Sequence, residues 1–443
     1  MDAAAEYNRI LEADPASACD QAFWLSDAFA RRGITFDGAP MPSFLRPHFV
    51  ERFDWEGLRD SGRRLLELSA RVARGAFGGD VDRLLAHLGT PEAEARWVRL
   101  DPGRPDVVLS RLDAFLTPSG PRFIEINSDA PAGFGYGDRM AAVFQELPVF
   151  RAFAERRPVR YEASGDRLVE AVLGAWYARG GDTMPRVAIV DWAEVKTRAD
   201  QEILREAFEA AGAPCVLEDP RALEVHDGRL CGASGPIDVV YRRGVLSELV
   251  EREAEVEGFL RAYRDRLCLF VNSFRCHLSE DKAFFGLLTD EAFAGLMTAE
   301  EREFVHSSVP WTRKLEERKT VRDGRDVDLV PFVIRNREAL VLKPAHGYGG
   351  RSVFVGDETS PLEWELAVRE ALGSAWVVQE RVAIPEEAFP IVASGQLRFE
   401  PRKVNANPFY VRGAEVGAVA RASKSSVINV SAGGGSVPTF VVG

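Results

Sequence analysis

The segment Arg111-Leu-Asp113-Ala-Phe-Leu-Thr-Pro-Ser-Gly-Pro-Arg-Phe-Ile-Glu125-Ile-Asn127 concentrates an arginine, two carboxylates and an amide in two short apolar runs. Between them, Pro118-Ser119-Gly120 suits a three-residue hairpin loop, with proline fixing the first turn position and glycine supplying a left-handed one. Pairing about Ser119 sets Asp113 opposite Glu125 and Arg111 opposite Asn127, and period-two alternation puts all four side chains on one face. Directly opposed carboxylates repel, so such a face either holds a cation or is a solvated, incidentally charged surface. Two carboxylates and an amide carbonyl are oxygen ligands of the kind Mg²⁺ takes.

A second chemical segment is Leu342-Lys343-Pro-Ala-His346-Gly347-Tyr348-Gly349-Gly350-Arg351-Ser-Val-Phe-Val, two apolar strands around a glycine-rich loop with a lysine at the end of the first. A loop this permissive in φ can lie against a polyphosphate and offer it backbone N–H groups; the alternative is an ordinary hairpin with a glycine-rich turn. It is not a Walker A loop, because no Gly-Lys-Ser/Thr follows and the next element reads as a strand. Lys282 follows Ser279, which reads as the N-cap of an amphipathic helix; a cation is unfavourable in a first turn, which hints at a separate use.

The elements around these segments divide into about four regions. Residues 1–100 read as helical, with apolar residues at helical spacing at Leu58, Leu65, Leu68 and Val72; His48 and His87 there read as surface or packing residues. The hairpin and a helix from Asp138 to about Glu155 occupy 101–160, with Ala132-Gly-Phe-Gly-Tyr-Gly137 as a mobile turn beside the hairpin. Residues 161–275 alternate strand and helix (Val187–Trp192, Ala199–Ala211, Cys215–Glu218), which implies a parallel sheet in an open α/β lobe. A further strand there ends at Arg242-Arg243; ligands of open α/β sheets gather at strand carboxyl ends, so Arg243 faces an anionic substrate or belongs to a surface basic pair. Long helices are expected at about 247–264 and up to Arg335. Residues 276–443 carry the glycine loop, the strand Trp376–Val382, and a block of antiparallel strands around Arg421 and a late Gly-Gly-Gly turn.

Composition excludes several classes. With a formal net charge of −12 over 443 residues, non-specific nucleic-acid and anionic-membrane binding are disfavoured, and any anionic ligand needs a local cation cluster. The five cysteines have no CxxC spacing, so neither a zinc framework nor a disulfide scaffold is expected. No signal-like start and no run of about 18 apolar residues occurs, and the expectation is a cytoplasmic protein.

Strand, Lys343-Pro, glycine loop, strand, Gln379-Glu380 and a late Arg421 before a Gly-Gly-Gly turn together resemble the ATP-grasp family. The Glu125-Ile-Asn127 element lies far upstream of the glycine loop, which resembles the circularly permuted order found in the synthetase domain of glutathionylspermidine synthase, through Arg111-Leu-Asp113 and Glu125-Ile-Asn127-Ser-Asp129-Ala-Pro131. Val240-Tyr-Arg-Arg243 and Arg421 are similar to eukaryotic-type glutathione synthetase. Pro310-Trp-Thr-Arg313 and Val437-Pro-Thr-Phe440 resemble bacterial permuted ATP-grasp proteins. The match begins at about 105. In two places the chain departs from glutathione synthetase: Gly347 stands where that family has a metal-binding glutamate, and Lys424 is offset from the family's Arg-x-Lys pair.

The resemblance implies an α+β and α/β chain: a permuted ATP-grasp fold with a preceding helical region and an open α/β lobe. It implies ATP and two Mg²⁺ ions, and a small-molecule or peptide carboxylate ligated to an amine with ADP released. Asp113, Glu125 and Asn127 would hold metal; Lys282, Lys343 and the loop His346–Arg351 the phosphates; Gln379, Glu380 and Val382 the adenine; Arg111 and Arg421 the transferring phosphoryl group. Arg243 and Arg313 are substrate-site candidates. The competing readings are a non-catalytic ATP-binding scaffold and an ATP-dependent small-molecule kinase.

Overall fold

The chain is known from a computed structural model that describes residues 2–100, 108–347, 352–430 and 433–443. Three sheets carry the architecture. The largest runs, in spatial order, through His48–Glu51, Gly435–Val442, Ala414–Ser423, Gln396–Val411, Leu109–Thr117 and Gly120–Asn127, with Glu386–Ala393 and Val159–Arg160 paired alongside. The early hairpin and the C-terminal strands are therefore one sheet, joined where Ala406 faces Ala114 and Phe409 faces Arg111.

A four-stranded sheet of Leu269–Val271, Val239–Arg242, Val187–Val190 and Cys215–Glu218 is parallel throughout. Its central strands are buried on both faces, the pattern expected when helices cover a parallel sheet. The third sheet is antiparallel and comprises Thr312–Lys314, Trp376–Glu380, Leu340–Pro344 and Phe354–Val355. Its strands and the helices Leu329–Arg335 and Pro361–Ala371 form a separate apolar core around Trp364 and Leu342.

The N-terminal region is mainly helical, but it is not an appendage. Its longest helix, Arg52–Phe77, buries Trp55, Leu58, Leu65, Leu68 and Val72 against Leu112, Phe123 and Ile126 of the hairpin. Gly62 on that helix is set by close approach: a Cβ there would lie 1.9 Å from Tyr410 Oη, which donates to Leu58 O at 3.0 Å. The strand His48–Glu51 adds in parallel to the last strand of the chain. Among the described residues, no helix is long and apolar enough to cross a membrane.

Several local expectations are corrected. The hairpin turn is Pro118-Ser119, with Thr117 facing Gly120, and a bulge between Asp113 and Ala114 restores the expected register at the far end. Ala132–Gly137 is not a mobile turn. Gly133 (φ +110°) precedes the helix Phe134–Phe144, and the buried Asp200 carboxylate accepts from the N–H groups of Gly133, Gly135 and Tyr136 at 2.9–3.0 Å. That helix ends at Phe144 and a second, Pro148–Ala154, follows, because Pro148 starts a helix more readily than it continues one. The long helix expected at 247–264 is broken into Leu246–Glu251 and Glu257–Arg264. Before Leu329–Arg335 comes a hairpin, Lys319–Arg322 with Arg325–Asp328.

Candidate active site

A cavity of about 1050 Å³ opens where the three sheets meet. The hairpin enters it in the expected register, with Arg111 opposite Asn127 and Asp113 opposite Glu125, and all four residues line the wall. The bulge matters here: a regular ladder from the two-residue turn would have shifted Glu125 and Asn127 to the opposite face.

Protein cations stand beside both opposed carboxylates. Asp113 is gripped by Arg111, with Nε to Oδ1 at 2.8 Å, and by Arg421, with Nη2 to Oδ2 at 2.5 Å. Burial opposes ionisation of Asp113, yet Arg111 and then Arg421 outweigh it and hold the carboxyl below its usual range. Asn127 Nδ2 also donates to Asp113 Oδ1 at 3.1 Å, which turns the amide oxygen elsewhere. Arg421 is fixed from its own side. Its Nη2 donates to Asn407 Oδ1 at 3.0 Å, and its N–H donates to Asn405 Oδ1 at 3.3 Å. Asn405 and Asn407 were not singled out in the sequence; their signal is period two on the strand facing Arg421.

Glu125 is the freer carboxylate, with Lys282 Nζ 3.7 Å from Oε2. Ser279 does not cap a helix, and Lys282 lies in the turn between His277–Glu280 and Phe284–Thr289. Its N–H donates to Ala345 O at 3.0 Å and its Nζ to Gly347 O at 2.8 Å, so it is tied to the root of the glycine loop. Lys343 comes from the third sheet and is buried, donating to Gln379 Oε1 at 2.9 Å and Ile124 O at 3.3 Å. Burial lowers its pKa to about 8, with Lys282 adding to the effect and Glu125 and Asp113 opposing it. Gln379 is in turn held by Thr312 Oγ1 at 2.9 Å. It therefore positions Lys343.

The strand end at Glu380 to Val382 lines the cavity with Val341, Val355 and Ile384, an apolar slot beside the lysines. Glu380 N–H and Arg381 N–H are used by Trp311 O and Ala339 O, and the Glu380 carboxylate is held by Arg322 and Arg122. His346 and Gly347 also line the cavity. Tyr348, Gly349, Gly350 and Arg351 lie outside the described residues.

At the opposite end Arg243 is buried and lines the cavity, 3.9 Å from Asp200 and donating to Pro131 O. Arg242 instead turns inward to Asp129 at 2.5 Å. Arg313 is corrected: it lies outside the cavity lining, fully enclosed, bonded to Thr320 Oγ1 at 2.6 Å and Glu291 Oε2 at 2.7 Å and stacked over Trp311. A guanidinium that satisfied is structural. Lys424 is exposed and paired with Glu400.

Glu280 was also missed. It lines the cavity and accepts from the N–H groups of Ser128 (2.9 Å) and Asp129. Burial, and then the Asp129 charge, push its pKa up to about 7. Its only signal in the sequence was a charged triplet before an apolar helix.

A structure of a glutathione synthetase-like effector from Globodera pallida, in its apo form, superposes with a TM-score of 0.61, covering 97% of this chain and 98% of that one at 12% identity. The two proteins share a fold. A crystal structure named as a γ-glutamylcysteine synthetase from Methylobacillus flagellatus KT covers 79% of this chain and 84% of that one at 10% identity, and its TM-score of 0.42 carries no weight. No family model matches. In sequence, the chain is 27% identical over 453 aligned positions to a Frankia alni protein provisionally named glutamate–cysteine ligase 2-3. The alignment takes in 93% of this chain and 48% of that protein, so the chain spans about half the length of the curated relative it matches.

Proposed function

We propose that this chain is an ATP-grasp carboxylate–amine ligase of the permuted order, forming an amide bond through an acyl phosphate with release of ADP and phosphate. The observation that carries the reading is the convergence of Lys282, Lys343, Arg111 and Arg421 with Asp113 and Glu125 on one cavity that also has an apolar slot. In a chain of net charge −12, four cations gathered on one stretch of wall support an anion site there, even with Asp113 and Glu125 among them, and the slot suits a purine. The ligase name of the Frankia alni relative supports the reaction class, and the shared fold supports the scaffold. The permuted order is supported by an early hairpin that shares its sheet with the last strands of the chain.

Phosphoryl transfer needs positioning and charge neutralisation more than covalent chemistry. Lys343 and Lys282 hold the β- and γ-phosphates from two sides. Arg421, locked by Asn405, Asn407 and Asp113, presents a fixed guanidinium to the transferring group, and Arg111 does the same from the hairpin. Such preorganised donors stabilise charge that develops in the transition state. The donor set fits Mg²⁺ at Glu125 and the Asn127 amide oxygen, where it would neutralise phosphate charge; both Asp113 oxygens are engaged by arginines, so Asp113 orients the cations first. At the far end Arg243 would hold an anionic group of the acid substrate away from the reacting carboxylate.

The test is ADP release by the purified chain with ATP, Mg²⁺ and pairs drawn from amino acids, short peptides and polyamines. A ligase releases ADP stoichiometrically with amide product when acid and amine are both present. Full ADP release without amine, with a stable phosphorylated product, identifies a kinase; nucleotide binding with no ADP from any pair identifies a scaffold. Either outcome refutes the ligase.

A further inference from the structure

Behind the phosphate end of the cavity, four side chains from three parts of the chain meet: Glu94 from the helix Glu92–Arg99, His277 and Asp281 from the segment that carries Lys282, and His346 from the root of the glycine loop. The two imidazoles stack with centroids 4.7 Å apart and planes within 5°. His277 Nε2 lies 3.0 Å from Glu94 Oε2, and His346 Nε2 lies 3.0 Å from Asp281 Oδ2. All four atoms are buried, yet none has an aligned hydrogen-bond partner among the described residues. One ligand atom each from Glu94, His277 and His346 lies within 4.8 Å of the others.

We propose that Glu94, His277 and His346 form a binding site for a zinc-class divalent cation, with Asp281 as fourth ligand or as the partner that orients His346. Hydrogen-bond geometry favours a shared ion over a pair of plain ion pairs, because each pair leaves its nitrogen and its oxygen buried and unaligned. Among the described residues no lysine or arginine is ion-paired to Glu94 or Asp281. One divalent ion would take lone pairs from the orphaned atoms together.

Two imidazoles and carboxylate oxygen are a zinc-type donor set, whereas Mg²⁺ prefers oxygen alone. A zinc ion bonds such ligands at about 2.0–2.2 Å, so ligand atoms about 3.5 Å apart are needed, and the rings must turn from their near-parallel arrangement as the ion binds. The site is separate from the Glu125 and Asn127 oxygens. Its ion would pin the N-terminal helical region to the residue that precedes Gly347, fixing the base from which the glycine loop extends.

The test is metal content of the tag-free full chain, equilibrated with micromolar free Zn²⁺ and desalted, together with the visible d–d absorption of the Co²⁺-loaded protein. The expected result is close to one ion per chain in the wild type, below about one tenth in Glu94→Gln/His277→Asn, and no loss in Glu125→Gln. Removal of the ion by a chelator should lower the melting temperature of the wild type by several degrees and leave the double variant unmoved. Absence of stoichiometric binding in the wild type overturns the proposal, as does undiminished binding in the single variant Glu94→Gln, which keeps the shape of the side chain while removing its charge.

Discussion

Lys343→Met separates a phosphate-binding lysine from a merely buried one. Burial lowers the pKa of this lysine from 10.5 to about 8. At about 1.4 kcal/mol for each tenfold change, holding it charged in the folded protein costs about 3 kcal/mol. A phosphate charge at contact distance returns about 4 kcal/mol at an effective dielectric constant of about 20, enough to lift the pKa above 10. Nucleotide binding should therefore take up about half a proton at pH 8 and almost none at pH 6.5. Calorimetric titration of a non-hydrolysable ATP analogue with Mg²⁺, in buffers of different ionisation enthalpy, reads that number directly. In Lys343→Met the uptake should vanish and affinity should fall about 10²-fold, the size of one lost charge-stabilising contact. The sign for stability is opposite. A depressed lysine pKa contributes stability that is present above pH 10.5 and lost as pH falls through 8. The unliganded methionine variant should thus be at least as stable as wild type at pH 7, after loss of the Gln379 hydrogen bond. Bound nucleotide with no proton uptake at pH 8, or equal uptake by the variant, would refute the placement of phosphate on this lysine.

Asp113→Asn should lower ADP release about 10²-fold or more, since it frees both Arg111 and Arg421 from their anchor; steady-state turnover near wild type removes Asp113 from the machinery. Glu280 has a folded pKa near 7, above the usual carboxyl value, so its contribution is present in acid and lost as pH rises through 7. Glu280→Gln should accordingly raise the melting temperature at pH 8 relative to wild type and do so less at pH 5, and the reverse order would contradict the assigned environment. Arg313→Ala should destabilise by about 1–3 kcal/mol through the lost hydrogen bonds to Thr320 and Glu291, with the KM for ATP unchanged where the protein remains folded; a selective rise in KM would return Arg313 to the site. Asp200→Ala leaves three N–H groups of Gly133, Gly135 and Tyr136 without their acceptor and should lower stability by about 2–4 kcal/mol in chemical denaturation.

Read from residue order alone, the hairpin register, the βαβ lobe and the strand pair around the glycine loop were legible, because each rests on local periodicity and turn chemistry. The register survived a wrong turn length only because a bulge at Asp113 compensated for it, which no local pattern reveals. Residue types also marked Lys343 and Glu125 as candidates for chemistry, and the family resemblance added Arg421. Tertiary structure alone decided what these groups do to one another. It set Arg421 on Asp113 across 308 positions of chain and turned Arg313 inward to Glu291. It also made Ala132–Gly137 a rigid helix entry through the distant Asp200. It brought Glu94, His277 and His346 together although no metal-ligand spacing links them. The physical reason is common to all four. Burial makes a charge depend on whichever partner the fold carries to it, and that partner is set by sheet order rather than by neighbours in sequence.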